Sequence, residues 1–305
     1  NDLFSKFEMS EPGSPSLSQL QVLLTVVDAG SFAAAARRLN RATSAITYAI
    51  DNLEAQLGLP LFDRVATRKP ELTQAGRAVV AEARVVAHGV DMLRAKVKGL
   101  LEGLEAEISL AVDVMLPTSR LVDALQAFQT TFPTVPLRLH VETLGAVTQL
   151  VRDREATVGI SGPLHVDVAG LEHIAIGGVR LVPVAAPFHP LARLRTLTPG
   201  AARNHIQLVL TDRSKLTEGQ DFGVFSMKTW RLADLGAKHA LLLAGVGWGN
   251  MPVPMVQGDL DAGRLIRLAL PEWSEDTYPL KILYRTDTPP GPAAQWLIER
   301  FKTQV

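Results

Sequence analysis

Cysteine is absent from the 305 residues. That excludes disulfide scaffolding, thiolate nucleophiles and Cys-ligated zinc together, and it suits a reducing compartment. Net charge is absent as well: 31 basic residues balance 31 acidic ones. A general polycationic coat for nucleic acid is therefore excluded, and any DNA contact must come from a local patch. No apolar run approaches the roughly 18 residues of a membrane span. The opening "NDLFSKFEMSEPGSPS" lacks the basic, apolar and small-residue layout of a secretory signal. It is polar and turn-rich, so residues 1–15 are expected to form a tail outside the fold, disordered or non-native. Met9 offers a natural start, and residues 1–8 are expected to be non-native. Together these features predict a cytoplasmic protein with no membrane partner.

Enzyme signatures are equally scarce. GxGxxG after a strand, GxxxxGK[ST], HExxH and GxSxG do not occur. The seven histidines are scattered without metal-ligand spacing. No catalytic residue, metal or resident cofactor is expected.

What is present is a long chain, 47% apolar, enough for two or three domains. The first ordered segment opens at "SLSQ", where Ser16 and Gln19 have capping-box spacing. Leu20, Leu23, Leu24 and Val27 follow at helical spacing, and Gly30 can stop the helix. Ser31 can cap a second short helix with Phe32, Ala35, Ala36 and Leu39 inward. A tight turn leads to "RATSAITYAIDNLE". One face of that helix, Ile46, Ala49, Ile50 and Leu53, is apolar. The other shows Thr43, Ser44, Thr47 and Tyr48, where Glu and Lys are better helix formers.

Three such helices predict a helix-turn-helix over residues 16–73, the third helix entering the major groove. Hydroxyls suit base edges and phosphates, whereas carboxylates would be repelled. Arg41, Thr43, Ser44, Thr47, Tyr48 and Asn52 are the candidate DNA contacts. "LPLFDRVATRKPELT" reads as a hairpin or wing, with Arg64, Arg68 and Lys69 able to reach phosphates or a minor groove. A solvated surface is the plainer alternative at each of these positions. Between Ser16 and Ala75, Arg37, Arg38, Arg41, Arg64, Arg68 and Lys69 stand against Asp28, Asp51, Glu54, Asp63 and Glu71, a net of +1, a weak charge that dimerisation would offset by doubling the phosphate contacts.

A helical run over residues 74–105 carries Val79, Ala83, Val86, Val90, Leu93, Val97, Leu100 and Leu104 at alternating spacings of four and three. Such a narrow seam predicts a dimerisation helix, with Val79, Val86, Val90, Leu93, Val97 and Leu100 at the contact. Packing within its own domain is the alternative. After residue 106 strand and helix patterns alternate, "EISLAV", "PTSRLVDALQAFQTTFP", "PLRLHVE", "AVTQLVRDR" and "TVGIS", then "VRLVPVAA", "IQLVLTD", "LADLGAKHALLLAG", "LIRLAL", "PLKILYR" and a terminal helix. This predicts an open, mostly parallel α/β sheet in two lobes, 106–177 with 279–305 and 178–278.

The stretch "SFAAAARRLNRATSAITYAIDNLEAQLGLPLFDRVATRKPELTQAG" resembles the N-terminal domain of LysR-type transcriptional regulators. The "GSF…AA..L" helix, the "AIT..I..LE..LG" recognition helix, "LF.R" and the closing "LT.AG" carry the likeness over residues 18–76. Looser likeness continues through "HPLA" and a Gly-rich segment before Pro252. The resemblance implies an α/β protein with an N-terminal winged helix-turn-helix, a long linker helix and a two-lobed effector domain of periplasmic-binding-protein type. It also implies a bacterial regulator that binds an inverted-repeat promoter site in double-stranded DNA as a homodimer or dimer of dimers and answers to a small metabolite. Two departures stand out: Ala42-Thr43-Ser44 replaces Ser-Gln-Pro, making Thr43 an alternative cap, and Thr157 replaces a usual Asp.

Ligands of such sheets sit at strand carboxyl ends, beside helix N-terminal amides that suit an organic anion. Candidate effector contacts are Met115, Thr118, Ser119, Thr143, Ser161, Thr211, Trp248, Gly249 and Asn250. Each can equally be a cap or loop residue, and Trp248 either a wall of the cleft or a core plug. An α/β binding protein or enzyme with a degenerate helical N-terminus is the competing function.

Overall fold

The computed structural model describes residues 13–63, 71–164, 168–217, 220, 222–274 and 277–303. The chain divides into two units, Asn1–Lys98 and Gly99–Val305.

In the first unit, α1 (Leu17–Ala29), α2 (Phe32–Leu39) and α3 (Thr43–Leu57) each start and stop for local reasons. The Ser16–Gln19 capping box forms, with the Ser16 amide donating to Gln19 Oε1 at 2.8 Å and the Gln19 amide to Ser16 Oγ at 3.2 Å. Ser31 Oγ caps α2 through the Ala34 amide at 3.1 Å. Gly30, Asn40 and Gly58 end the three helices in the left-handed region. At α3 the cap is Ala42 and makes no side-chain hydrogen bond, so Thr43 is the first helical residue and not a substitute cap. Ile46, Ile50 and Leu53 are fully buried with Leu23, Val26, Ala35 and Leu61. Each such aliphatic side chain contributes about 1.5–3 kcal/mol by leaving water.

Glu54 of α3 accepts the Leu61 amide at 2.7 Å and the Phe62 amide at 3.1 Å. That carboxylate fixes where the ribbon of β1 (Phe62–Asp63) and β2 (Glu71–Leu72) begins; the two strands pair antiparallel, Phe62 with Leu72. The expected wing residues Arg64, Arg68 and Lys69 lie outside the described residues.

Helix α4 (Gln74–Leu101) starts beside this ribbon. A Cβ on Gly76 would lie 2.0 Å from the Leu61 carbonyl oxygen, which is backbone and cannot swing aside. We expect Gly76→Ala to lower the stability of this unit by at least about 1–3 kcal/mol, as overpacking does. Thermal unfolding followed by far-ultraviolet circular dichroism checks it, and an unchanged midpoint would refute the close approach. Val80 and Ala83 of α4 pack into the first unit's core, with Val79 beside them. Farther along, Val86, Leu93, Val97 and Leu100 are exposed and Val90 is half-buried, whereas Leu104, past the helix end, packs on the core of the second unit.

The second unit holds β3 (Ile108–Asp113), α5 (Thr118–Thr131), β4 (Leu137–Glu142), α6 (Gly145–Arg152), β5 (Val158–Ser161) and β6 (Leu171–Ala185). There follow β7 (Gln207–Leu210), β8 (Thr229–Leu232), α7 (Leu235–Leu243), β9 (Trp248–Pro252), α8 (Val253–Asp261), β10 (Ile266–Arg267), β11 (Thr277–Arg285) and α9 (Pro292–Lys302). The strand order is β4-β3-β5-β11-β6-β9-β7-β8, with β10 beside β6.

The sheet is mixed rather than mostly parallel. β3 lies parallel to β4 and β5 in one lobe, and β7 parallel to β8 and β9 in the other. The long strands β6 and β11 run antiparallel to each other and to their neighbours and join the lobes. Along their pairing the register shifts between Pro279 and Lys281, opposite Gly178. A Cβ on Gly178 would meet the Tyr278 carbonyl at 2.5 Å, so glycine admits the crossing. One lobe's core joins Ile108, Leu110, Phe128, Ile160, Leu297 and Phe301; the other's joins Val184, Leu208, Leu242, Met251 and Val256.

Candidate functional site

The recognition helix α3 places its two rows as the residue pattern predicts. Ile46, Ile50 and Leu53 are buried, while Arg41, Thr43, Ser44, Thr47 and Tyr48 are exposed and Asn52 is half-buried. Tyr48 is 69% exposed, so its ring and hydroxyl are open to a partner. Thr47 Oγ1 donates to the Thr43 carbonyl at 3.2 Å, which leaves the oxygen able to accept.

In the second unit, a cavity of about 330 Å³ opens between the lobes. Met115, Thr143 and Leu144 line it from one lobe; Leu208, Lys238, Asn250, Trp273 and Phe225 line it from the other; Tyr278 stands at the crossing strand. Three of the predicted contacts, Met115, Thr143 and Asn250, are brought together there. The remaining six are not. Thr118 and Ser119 are exposed at the start of α5, away from the cavity. Ser161 is buried and donates to the Leu144 carbonyl at 3.3 Å. Thr211 lines a neighbouring recess, and its carbonyl accepts from Thr143 Oγ1 at 3.2 Å. Trp248 is a core plug: it is fully buried with Ala185, Leu191, Leu268 and Leu270. Gly249 acts through its lack of a side chain, because a Cβ there would press on Lys238 Cε at 3.0 Å and on the Leu208 carbonyl at 2.8 Å.

The α6 amides, one of the expected anion sites, are already engaged. Asp212, just after β7, accepts the Gly145 amide at 2.9 Å and the Ala146 amide at 3.1 Å. It also accepts from the Ser214 amide and hydroxyl and from Thr217 Oγ1. A carboxylate of one lobe thus caps α6 of the other, where the helix dipole favours negative charge. Asp113 is a second internal carboxylate. It is buried and accepts the Met115 amide at 2.8 Å, the Leu144 amide at 2.8 Å and Tyr278 Oη at 2.9 Å. Burial pushes the Asp113 carboxyl above the ordinary aspartate value, against the opposing pull of those hydrogen bonds. Burial, with Asp113 beside it, pushes the Tyr278 phenol well above its usual range. Between these carboxylates Leu144 sits at φ 44°, ψ −115°, a conformation leucine rarely adopts.

Lys238 of α7 is the cation of the cavity. It is 3% exposed, and its Nζ donates to the Asn250 carbonyl at 2.7 Å. Burial lowers its pKa to about 7. Its place has a local origin: β7 and β9 pair only at Gln207 and Trp248, and beyond that point the Asn250 carbonyl is met by Lys238. Lys238, Asp113, Asp212, Trp273 and Tyr278 were not singled out by sequence pattern. The one available signal was Lys238 itself, a charge inside the apolar run "LADLGAKHALLLAG".

Residues 17–77 match the model of bacterial regulatory helix-turn-helix proteins of the lysR family, and residues 101–305 match the LysR substrate binding domain. The chain belongs to the LysR family of transcriptional regulators. It is similar along nearly its whole length to the probable HTH-type transcriptional regulator YhaJ of Escherichia coli K12, with 27% identity over 96% of this chain and 98% of that one. Similarity to the HTH-type transcriptional activator AllS of Klebsiella pneumoniae is 28% over 81% of this chain and 93% of that one. Among solved structures, a Corynebacterium glutamicum OxyR mutant aligns with TM-score 0.52 at 19% identity, covering 96% of this chain and 94% of that chain. Full-length LysG of the same organism, with its effector Arg bound, aligns with TM-score 0.50 at 20% identity, covering 94% and 97%. At these identities the structures speak for the fold. The LysR-type regulator thus couples a DNA-binding helix-turn-helix to an effector-binding α/β domain.

Proposed function

We propose that this regulator reads an inverted-repeat promoter site in double-stranded DNA with α3, as a homodimer or a dimer of dimers, in the cytoplasm and without catalysis or a resident cofactor. A small metabolite in the cavity between the lobes then shifts the population between two arrangements of the DNA-binding units. The observation that carries the DNA part is the exposed row Thr43, Ser44, Thr47 and Tyr48 set back to back with a fully buried row on one helix. Tyr48 and Thr47 are the contacts favoured for base edges, with Arg41 at the backbone. What supports the effector part is the cavity itself, whose volume lies at the small end of ligand sites, about 300–1,000 Å³.

Mobility shift with salt titration tests this reading. Specific binding should weaken steeply with salt through counter-ion release. Tyr48→Ala or Thr47→Ala should each weaken specific binding roughly fivefold to a hundredfold, the equivalent of about 1–3 kcal/mol, and leave nonspecific binding close to unchanged. Equal affinity for the protein's own promoter and for random duplex would sink the proposal.

A further inference from the structure

The cavity between the lobes holds three polar groups with hydrogen-bonding capacity to spare. The Lys238 ammonium has three protons, and the Asn250 carbonyl takes one; Lys238 forms no ion pair among the described residues. The Trp273 indole Nε1 is buried with no hydrogen-bond partner among the described residues. Asn250 Oδ1 is buried and equally unpartnered, while the Nδ2 of the same amide donates to the Gly223 carbonyl at 3.3 Å. All three residues line the one cavity. Buried polar groups left open in this way are costly unless something completes them.

Two donors and one acceptor define complementary chemistry. A buried cation without a counter-ion asks for a single negative charge. The indole N–H offers a second donor to the same anion. Asn250 Oδ1 asks for a hydroxyl or amine proton. Phe222, Phe225, Leu208, Leu181 and Met115 give the cavity an apolar, partly aromatic wall, while Thr143, Gln207, Glu272, Ser274, Thr277 and Tyr278 add polar groups to its lining. Phe225 and Trp273 meet edge to face, with centroids 6.1 Å apart. A cavity of about 330 Å³ suits a single ring with its substituents.

We infer that the cavity takes a monocarboxylate with a flat apolar body and one hydrogen-bond donor, its carboxylate held by Lys238 with Trp273 and its donor by Asn250. The α6 amides take no part, because Asp212 already occupies them. The ligand's regulatory role rests on the function proposed above; its binding does not.

Anion binding must follow the protonation of Lys238, so every charge near it counts. On α7 itself, His239 pairs with Asp259 of α8, Nε2 to Oδ2 2.7 Å, and Asp234 caps the helix. Of the strands packed against α7, β7 and β9 carry no ionisable side chain, β8 carries Arg231 and β6 carries Glu172, His173 and Arg180. Glu272 and Tyr278 line the cavity. The Glu272 carboxylate is exposed and accepts the Gly200 amide.

The test is calorimetric titration of the full-length protein with 4-hydroxybenzoate and with its neutral partner 4-hydroxybenzamide, at a series of pH values, repeated on Lys238→Met. The acid should bind roughly tenfold to a hundredfold more tightly than the amide, the range expected of charge-assisted hydrogen bonds. Its affinity should fall as pH rises above 7 and Lys238 loses its proton. In Lys238→Met the acid should lose this advantage while the amide still binds. Because the comparison of acid with amide is also made on the unaltered protein, a variant that fails to fold does not shield the inference. Equal binding of acid and amide, undiminished binding of the acid to Lys238→Met, or no binding of the acid at millimolar concentration overturns it. A mobility shift in parallel separates the two readings. Promoter binding without acid binding leaves the regulator intact and removes the ligand class. Acid binding that never alters promoter binding keeps the site and removes its regulatory role.

Discussion

Replacing Leu93 and Leu100 together by glutamate should convert the proposed dimer to a monomer and weaken promoter binding by roughly a hundredfold or more, because half-sites bound through a linked dimer gain an effective concentration that separate monomers lack. The expectation comes from how α4 divides. Its first turns are occupied: Val80 and Ala83 are buried against the helix-turn-helix core and Val79 packs beside them. Beyond Ala83 the same stripe is left bare, with Leu93 62% exposed, Val97 47% and Leu100 44%. Val86 and Val90 continue the row in register. A helix surface this apolar, repeating at four and three, fits a second copy of itself. Packing within its own domain thus holds for the first turns of this helix, and the later turns are left open for a partner helix. Sedimentation equilibrium of the wild type and the double variant decides the matter. Both positions are exposed, so the fold of either unit should survive, with far-ultraviolet circular dichroism as the check. A variant that still sediments as the wild type does would show that α4 is not the dimer contact.

The DNA-binding unit was readable from sequence because its constraints are local. Ser16 with Gln19, Ser31, Gly30 and Gly58 are caps that act within one helical turn, and the apolar row of α3 has a single period. Even so, Thr43 was a possible cap on sequence grounds and is not one. The effector unit was readable as alternating strands and helices, but not in its joins. The pattern showed a strand from residue 179, whereas β6 begins at Leu171 and runs 15 residues, because Gly177 and Gly178 interrupt the alternation without ending the strand. Likewise the Gly-rich segment before Pro252 shows no strand pattern, yet Trp248–Pro252 is strand β9. Its glycines relieve close approaches, Gly247 to the Ile206 carbonyl and Gly249 to the Leu208 carbonyl.

The site was less legible still, since its polar groups are set by contacts remote in sequence. Asp212 meets α6 across 66 and 67 residues, and Tyr278 meets Asp113 across 165. No spacing rule reaches that far. A carboxylate followed by Ser214 resembles an ordinary turn, and only the fold reveals that it fills the helix N-terminus where an anionic ligand was expected.

The stability of the effector unit should rise with pH between about 7 and 10.5, by up to about 1.4 kcal/mol per pH unit if Lys238 is the only group titrating there. The sign follows from which state holds the proton. In the unfolded chain Lys238 titrates at its ordinary value of 10.5; in the folded cavity burial lowers this to about 7. Between those values the unfolded chain binds the proton and the folded chain does not, so each step toward lower pH favours unfolding. The contribution is fully present above 10.5 and is lost as pH falls through about 7. Asp113 acts with the same proton logic on a different window. Its raised pKa favours the folded state at low pH, and that part is lost as pH rises from the unfolded value of 3.8 through the folded one. All four tryptophans, at 230, 248, 273 and 296, lie in the effector unit. Urea unfolding followed by tryptophan fluorescence therefore reports on this unit within the intact chain. Lys238→Met should flatten the alkaline rise and leave the acid limb in place. A bound monocarboxylate should also flatten it, because an anion beside Nζ restores the proton and raises the folded pKa toward that of the unfolded chain. An alkaline rise that persists unchanged in Lys238→Met would mean that the lysine is solvated, and would remove its claim to be the buried cation of the cleft.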